Sequence, residues 1–175
     1  MPLLNGTYCF LRALEPADLD FLYQLENDTA IWELSGTVTP YSKGVLREYL
    51  KHAHRDIYEV KQLRLGICTK ESGLIGLIDL FDFDPRNKRV GLGIVVLEEA
   101  QRNQGVGGEA IGLVTDYAFA VLDMNQVYAN ILEDNQRSLH LFAKMGFTHG
   151  GTKKEWVRSG SGFKDELLYQ KFRNG

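Results

Sequence analysis

Apolar and polar positions alternate from Tyr8 to Ala13, the period of two expected of a half-buried strand. The period then lengthens: Phe21, Leu22 and Leu25 fall on one face of a helix that Leu14-Glu15-Pro16-Ala17-Asp18 opens and that runs to about Asn27. Ile31 to Tyr41, holding Trp32, Gly36 and Pro40, reads as an irregular loop before a second helical stretch from Ser42 to about Arg55. Gln62 to Thr69, Leu74 to Phe81 and Arg89 to Leu97 are strand-like, with turns at Glu71-Ser72-Gly73 and Asp84-Pro85-Arg86-Asn87, and predict an antiparallel meander. A helical pattern to about Leu122 follows, then a strand from Val127 to Leu132 and a helix from Gln136 to Met145. Asn135 or Asp134 can cap that helix, Leu139, Phe142 and Ala143 give it an apolar face, and Gly146-Phe147 suits a glycine stop with its hydrophobic follower. Thr148 to Trp156 and Lys164 to Lys171, joined by Arg158-Ser159-Gly160-Ser161-Gly162, predict a closing hairpin. The order β-α-α-β-β-β-α-β-α-β-β describes an α/β (α+β) chain of about seven strands, mostly antiparallel, flanked by about four helices.

Composition narrows the setting without naming a chemistry. With 175 residues, 44% of them hydrophobic and 25% charged, the chain is expected to be one domain over residues 1–175 with a core of its own. It has no apolar run of about 18 residues and no charged-then-apolar leader pattern, so membrane insertion and export are not expected and the reading is cytoplasmic. A formal net charge of −3 and a pI near 5.8 leave no basic stripe, and the aromatic residues are not interleaved with Lys/Arg runs, so nucleic acid is not an expected partner. Cys9 and Cys68 sit in predicted strands without Cys-x-x-Cys spacing or a nearby His pair, which predicts two buried thiols and no metal site.

The segment Arg102-Asn103-Gln104-Gly105-Val106-Gly107-Gly108 lies between a strand and a helix. Such a junction leaves first-turn N–H groups without intrahelical acceptors, and glycines let a ligand reach the bare backbone, a combination that attracts phosphate. A P-loop requires Lys-Ser or Lys-Thr after the glycines, and the dinucleotide fingerprint requires a third glycine where Ala110 stands. Taken alone, the glycines also suit a tight turn with close helix packing.

What remains, Arg-x-x-Gly-x-Gly after a strand, resembles the acetyl-CoA loop of the GNAT family of N-acetyltransferases. The strand Val127 to Leu132, followed by Asn135-Gln136-Arg137-Ser138 and a helix ending in Gly146-Phe147, resembles that family's second hallmark. The element order matches the GNAT fold across nearly the whole chain, which implies a sheet splayed at its centre. Leu11-Arg12-Ala13-Leu14-Glu15-Pro16-Ala17-Asp18, Gly76-Leu77-Ile78-Asp79-Leu80 and the helix Asn135 to Phe142 are similar to the group of spermidine/diamine and ribosomal-protein N-terminal acetyltransferases.

That resemblance implies acetyl-CoA as cosubstrate, no metal, a small cationic amine as acceptor, and the dimer or higher homo-oligomer that the family commonly forms. It implies that Val95, Val96 and Leu97 offer backbone groups to the pantetheine arm. Arg102, Asn103, Gln104, Gly105, Val106, Gly107 and Gly108 would cradle the diphosphate. Asn135 would bond the pantetheine or hold the neighbouring turn, and Ser138 and Lys144 would lie along the cofactor helix.

Aminolysis of a thioester needs a neutral amine from a group of pKa ~10, a donor for the carbonyl oxygen, and an exit for the thiolate. Family enzymes commonly place a general-acid Tyr where this chain has Phe142, and a phenyl ring donates no proton. They often place a Glu on the strand before the phosphate loop, where this chain has Gly91 and Gly93, with Glu98 and Glu99 only at its end. Water, the thiolate's own stability, Tyr128 or Ser138 are the alternatives for the acid. Glu33, with Glu26 and Asp28, is the candidate for acceptor contact, against the plain alternative of a solvated acidic patch. Asp79, Asp82 and Asp84 form a second acidic strip. Trp32 and Trp156 are expected in the core or a cleft wall. Two readings from different classes follow: an acetyltransferase acting on a polyamine, diamine or protein N-terminus, and a CoA-binding module without turnover.

Overall fold

The computed structural model describes residues 2–97 and 105–175. They form two compact units, one of residues 13–55 and one of the residues up to 12 together with 56–175. The chain enters through β1 (Phe10–Ala13).

In the smaller unit a 3-10 turn, Pro16–Asp18, leads into α1 (Leu19–Glu26), where Glu15 N–H donates to Asp18 Oδ2 at 2.8 Å. This reciprocal capping satisfies first-turn donors and sets the start that the proline predicted. Leu22 and Leu25 are buried on the predicted face. The segment expected to be an irregular loop holds a 3-10 turn, Thr29–Ile31, and a single α-turn, α2 (Trp32–Ser35), closed by Gly36 at φ 73°. α3 (Lys43–Lys51) starts at Ser42, whose Oγ accepts from Val45 N–H at 3.1 Å, and it ends before the expected Arg55.

The larger unit begins with α4 (Ile57–Val60), capped by Asp56 and stopped at Lys61, φ 61°. Then come β2 (Leu63–Thr69), β3 (Gly73–Asp84), β4 (Arg89–Val96), α5 (Val106–Ala120), β5 (Gln126–Leu132), α6 (Gln136–Lys144), β6 (Thr148–Ser159) and β7 (Gly162–Phe172). The described residues thus hold six α-helices rather than about four, because the one-turn helices α2 and α4 are too short to show a period. No described helix is long and apolar enough to cross a membrane.

All seven strands lie in one sheet, ordered β1-β2-β3-β4-β5-β7-β6. The pairs β2–β3, β3–β4, β5–β7 and β6–β7 are antiparallel, and β4–β5 is parallel across the α5 crossover. One face packs its apolar positions, among them Leu65, Ile67, Ile78, Leu80, Val90, Leu92, Val127, Ala129 and Ile131, in one cluster with Val106, Ala110, Ile111, Val114 and Ala118 of α5. The register puts two cross-strand rows on the other face: Arg64, Asp79 and Gly93, and Phe81, Gly91 and Tyr128.

Candidate functional site

β4 pairs with β5 at three positions: Arg89↔Gln126, Val90↔Val127 and Gly91↔Tyr128. Beyond them Leu92 to Val96 continue against β3 alone, whereas Ala129 to Leu132 continue against β7. The two parallel strands therefore diverge from the Gly91–Tyr128 pair onward, and Val95, Val96 and Leu97 stand half-buried on the diverging side.

The next described element after β4 is α5. Gly105 is the N-cap at φ 81°, a left-handed conformation that a Cβ would strain. The helix ladder begins with Glu109 N–H to Gly105 O at 3.0 Å, so the amides of Val106, Gly107 and Gly108 precede it. Gly107 and Gly108 have a second explanation in packing. A Cβ on Gly107 would lie 3.2 Å from Leu141 Cδ2, and one on Gly108 would lie 3.3 Å from Met145 Sδ, so their bareness lets α6 come close. Arg102, Asn103 and Gln104, like Glu98 and Glu99, lie outside the described residues.

Asn135 caps α6, its Oδ1 accepting from Ser138 N–H at 3.2 Å. Of its two expected roles, holding the turn is the one this bond performs. Ser138 is half-buried and Lys144 is exposed in the last turn. Phe142 is only 3% exposed and meets Phe147 edge-to-face, with ring centroids 5.1 Å apart.

In the smaller unit, Glu33 is exposed in the first turn of α2. Asp28 caps the preceding turn through Ala30 N–H at 3.0 Å, and the Trp32 indole donates to Glu26 O at 2.9 Å. The residue that sequence reasoning passed over here is Asn27. Its Nδ2 donates to Tyr23 O and Tyr41 O, at 2.9 and 3.0 Å, and its Oδ1 accepts from Tyr41 N–H at 2.8 Å. An Asn directly after a predicted helix was the available signal.

The acidic strip on β3 is largely committed to local partners. Asp79 receives both Arg64 Nε at 2.7 Å and Nη2 at 3.2 Å, and Asp84 is held below the usual carboxylate range first by the Asn87 side chain and then by its backbone. Tyr128 is pushed above the ordinary phenol value first by burial and then by Asp82. Cys9 and Cys68 are buried thiols outside any disulfide, and burial, followed by the neighbouring Glu109, pushes Cys9 up to about 12. Among the described residues no three His, Cys, Asp or Glu side chains gather to hold a metal ion. Trp156 is not in the core. It stands 60% exposed at a bulge beside Glu155 at φ 47°, with Lys153 Nζ 5.0 Å from its ring centre.

Glu109, also unmarked by sequence reasoning, accepts from the backbone N–H groups of Thr7, Tyr8 and Cys9 at 2.6, 2.7 and 2.8 Å. Burial opposes its ionisation, but these amides outweigh burial and hold the carboxyl below the ordinary glutamate range.

Comparison with known proteins agrees with this geometry. A family model described as an acetyltransferase (GNAT) domain matches residues 9–148. The spermidine N(1)-acetyltransferase of Vibrio cholerae is 28% identical over 141 residues, covering 81% of this chain and 79% of that protein. The crystal structure of Vibrio cholerae spermidine N-acetyltransferase in complex with CoA and spermine has the same fold, with a TM-score of 0.85 at 24% identity over 97% of this chain and 98% of that one. A dodecameric structure of the same enzyme in an intermediate state gives a TM-score of 0.79 at 24% identity over 97% and 96% of the two chains.

Proposed function

This chain belongs to the GNAT acetyltransferases, N-acyltransferases that draw on acetyl-CoA, and from that premise we propose that it moves acetyl directly to a primary amine of a polyamine or diamine such as spermidine. One observation carries the cosubstrate half of this reading: β4 and β5 part beyond Gly91 and Tyr128, ahead of a helix N-terminus at Gly105. An extended arm fits between diverging strands, where Val95, Val96 and Leu97 would meet it. The amides of Val106, Gly107 and Gly108 suit a diphosphate. We assign Arg102, Asn103 and Gln104 to the same cradle, and Ser138 and Lys144 to the flank along α6, with Asn135 holding the turn that opens that helix.

The acceptor half rests on the substrate named for the relatives and on the carboxylates of the smaller unit. Glu33, exposed in α2, is assigned to attracting an alkylammonium group. No carboxylate stands at positions 91 or 93, so the amine's proton goes to another acceptor, either directly or through water. The phenyl of Phe142 offers no proton, so the thiolate leaves without a dedicated acid from that position. We also take the working protein to be a homo-oligomer, as the dodecameric relative is. Light scattering of the purified chain checks that.

A thiol-release assay with acetyl-CoA and a panel of spermidine, a diamine and a peptide amine tests the acceptor. Release with the polyamines supports the proposal, and release with the peptide alone would redirect it to protein N-termini. CoA binding with no release on any acceptor would reduce the chain to a binding module.

A further inference from the structure

A glutamate in the first turn of a helix ordinarily faces the dipole or caps the helix's own amides. Glu109 instead reaches to a segment about a hundred residues away in sequence, where three consecutive N–H groups, those of Thr7, Tyr8 and Cys9, converge on its carboxylate. Bonds to an ionised acceptor are stronger than neutral ones, and three on one group form an anion-holding nest. The fit is tight from the other side as well, because a Cβ on Gly6 would fall on the Glu109 carboxyl group. Held this way, the segment touches the phosphate turn twice. The Tyr8 ring lies 3.5 Å from where a Cβ of Gly105 would be, and Cys9 Sγ donates to Val106 O at 3.8 Å. These two contacts fall on Gly105 and Val106, the residues from which α5 starts.

We infer that Glu109 is a positioning residue for the cosubstrate diphosphate, acting through the Gly6–Cys9 segment that it fastens against Gly105 and Val106; this rests on the acetyl-CoA reading above. Its effect is to fix the backbone that presents the first-turn amides, while the three N–H dipoles offset the negative charge that it brings near an incoming anion.

The test separates this role from a general structural one by comparing two acetyl donors, acetyl-CoA and S-acetylpantetheine, which lacks the diphosphate. Calorimetry with CoA on the wild-type chain comes first, since absence of binding there sinks the acetyl-CoA reading and this inference with it. With binding established, Glu109→Gln is expected to raise the Kd for CoA about tenfold, within the range typical of coupled sites. The KM for S-acetylpantetheine should stay at its wild-type value. Gly6→Ala, which crowds the carboxylate from the exposed side, should act in the same direction and serves if Glu109→Gln does not fold. An unchanged CoA Kd in a folded variant overturns the inference, as does an equal loss with both donors.

Discussion

The ring of Phe81 fills the space that a side chain on Gly91 would need, so that a Cβ there would collide with the Phe81 ring edge. The same ring meets Tyr128 edge-to-face, with centroids 6.0 Å apart, which closes the row Phe81, Gly91, Tyr128 at the point where β4 and β5 part. Of Gly91 and Gly93, the two positions at which the family resemblance leads a Glu to be expected, the first is thus blocked from the neighbouring strand. Gly91→Ala is expected to cost about 1–3 kcal/mol in urea unfolding through overpacking. Gly93→Ala, whose Cβ would sit 3.9 Å from Phe81 Cε1, should be tolerated. Equal destabilisation by both substitutions would show that Phe81 is not the cause.

Phe142 is a core residue first, packed on Phe147. Phe142→Ala should lower stability by about 3–5 kcal/mol, the usual loss for emptying a buried phenyl site. Phe142→Tyr is the informative change for chemistry. If this side chain flanks the thioester sulfur, the added hydroxyl keeps or raises kcat, and a large drop in kcat with CoA affinity intact would remove Phe142 from the site.

Arg64 and Asp79 form a two-point ion pair, each side chain about one-fifth to one-quarter exposed, at 21% and 24%. Removing Arg64 takes both of these hydrogen bonds from the Asp79 carboxylate on the sheet face. Arg64→Ala is expected to cost about 1–3 kcal/mol, less than for a fully buried pair because water still reaches both groups. The double variant Arg64→Ala/Asp79→Ala should be less destabilised than the sum of the singles, which a double-mutant cycle measures.

The Cys9 thiol is raised to about 12 by burial and by Glu109, from an ordinary value of 9.0. A folded-state pKa above the unfolded one gives stability that is whole below the ordinary thiol value and declines as pH rises from there toward the folded value. Urea stability should therefore fall above pH 9.0, and Cys9→Ala should flatten that decline relative to wild type. Native protein should also show no rapid reaction of Cys9 or Cys68 with a disulfide reagent at neutral pH, both titrating only in denaturant. Prompt labelling of the folded chain would contradict the burial.

The element order was legible along the chain because it rests on local rules. Alternation marks strands, a proline marks the first turn of α1, and a cap such as Asn135 or a stop such as Gly146 follows from backbone sterics within a few residues. Boundaries drifted where those rules give out. The one-turn helices α2 and α4 have no period to read, and the bulge at Trp156 turns toward solvent a residue expected in the core or a cleft wall.

The sequence by itself determined the strands and the longer helices, their order, the glycine turn at Gly105 and the thiols' burial, since each is set by short-range geometry or by apolar pattern. Only the tertiary structure decided which distant groups meet: Glu109 with the amides of Thr7 to Cys9, Gly107 with Leu141, Phe81 with Gly91, and the parting of β4 from β5. Those pairings depend on sheet register and on how α5 and α6 pack, quantities fixed by the simultaneous fit of the whole chain, which no local spacing encodes.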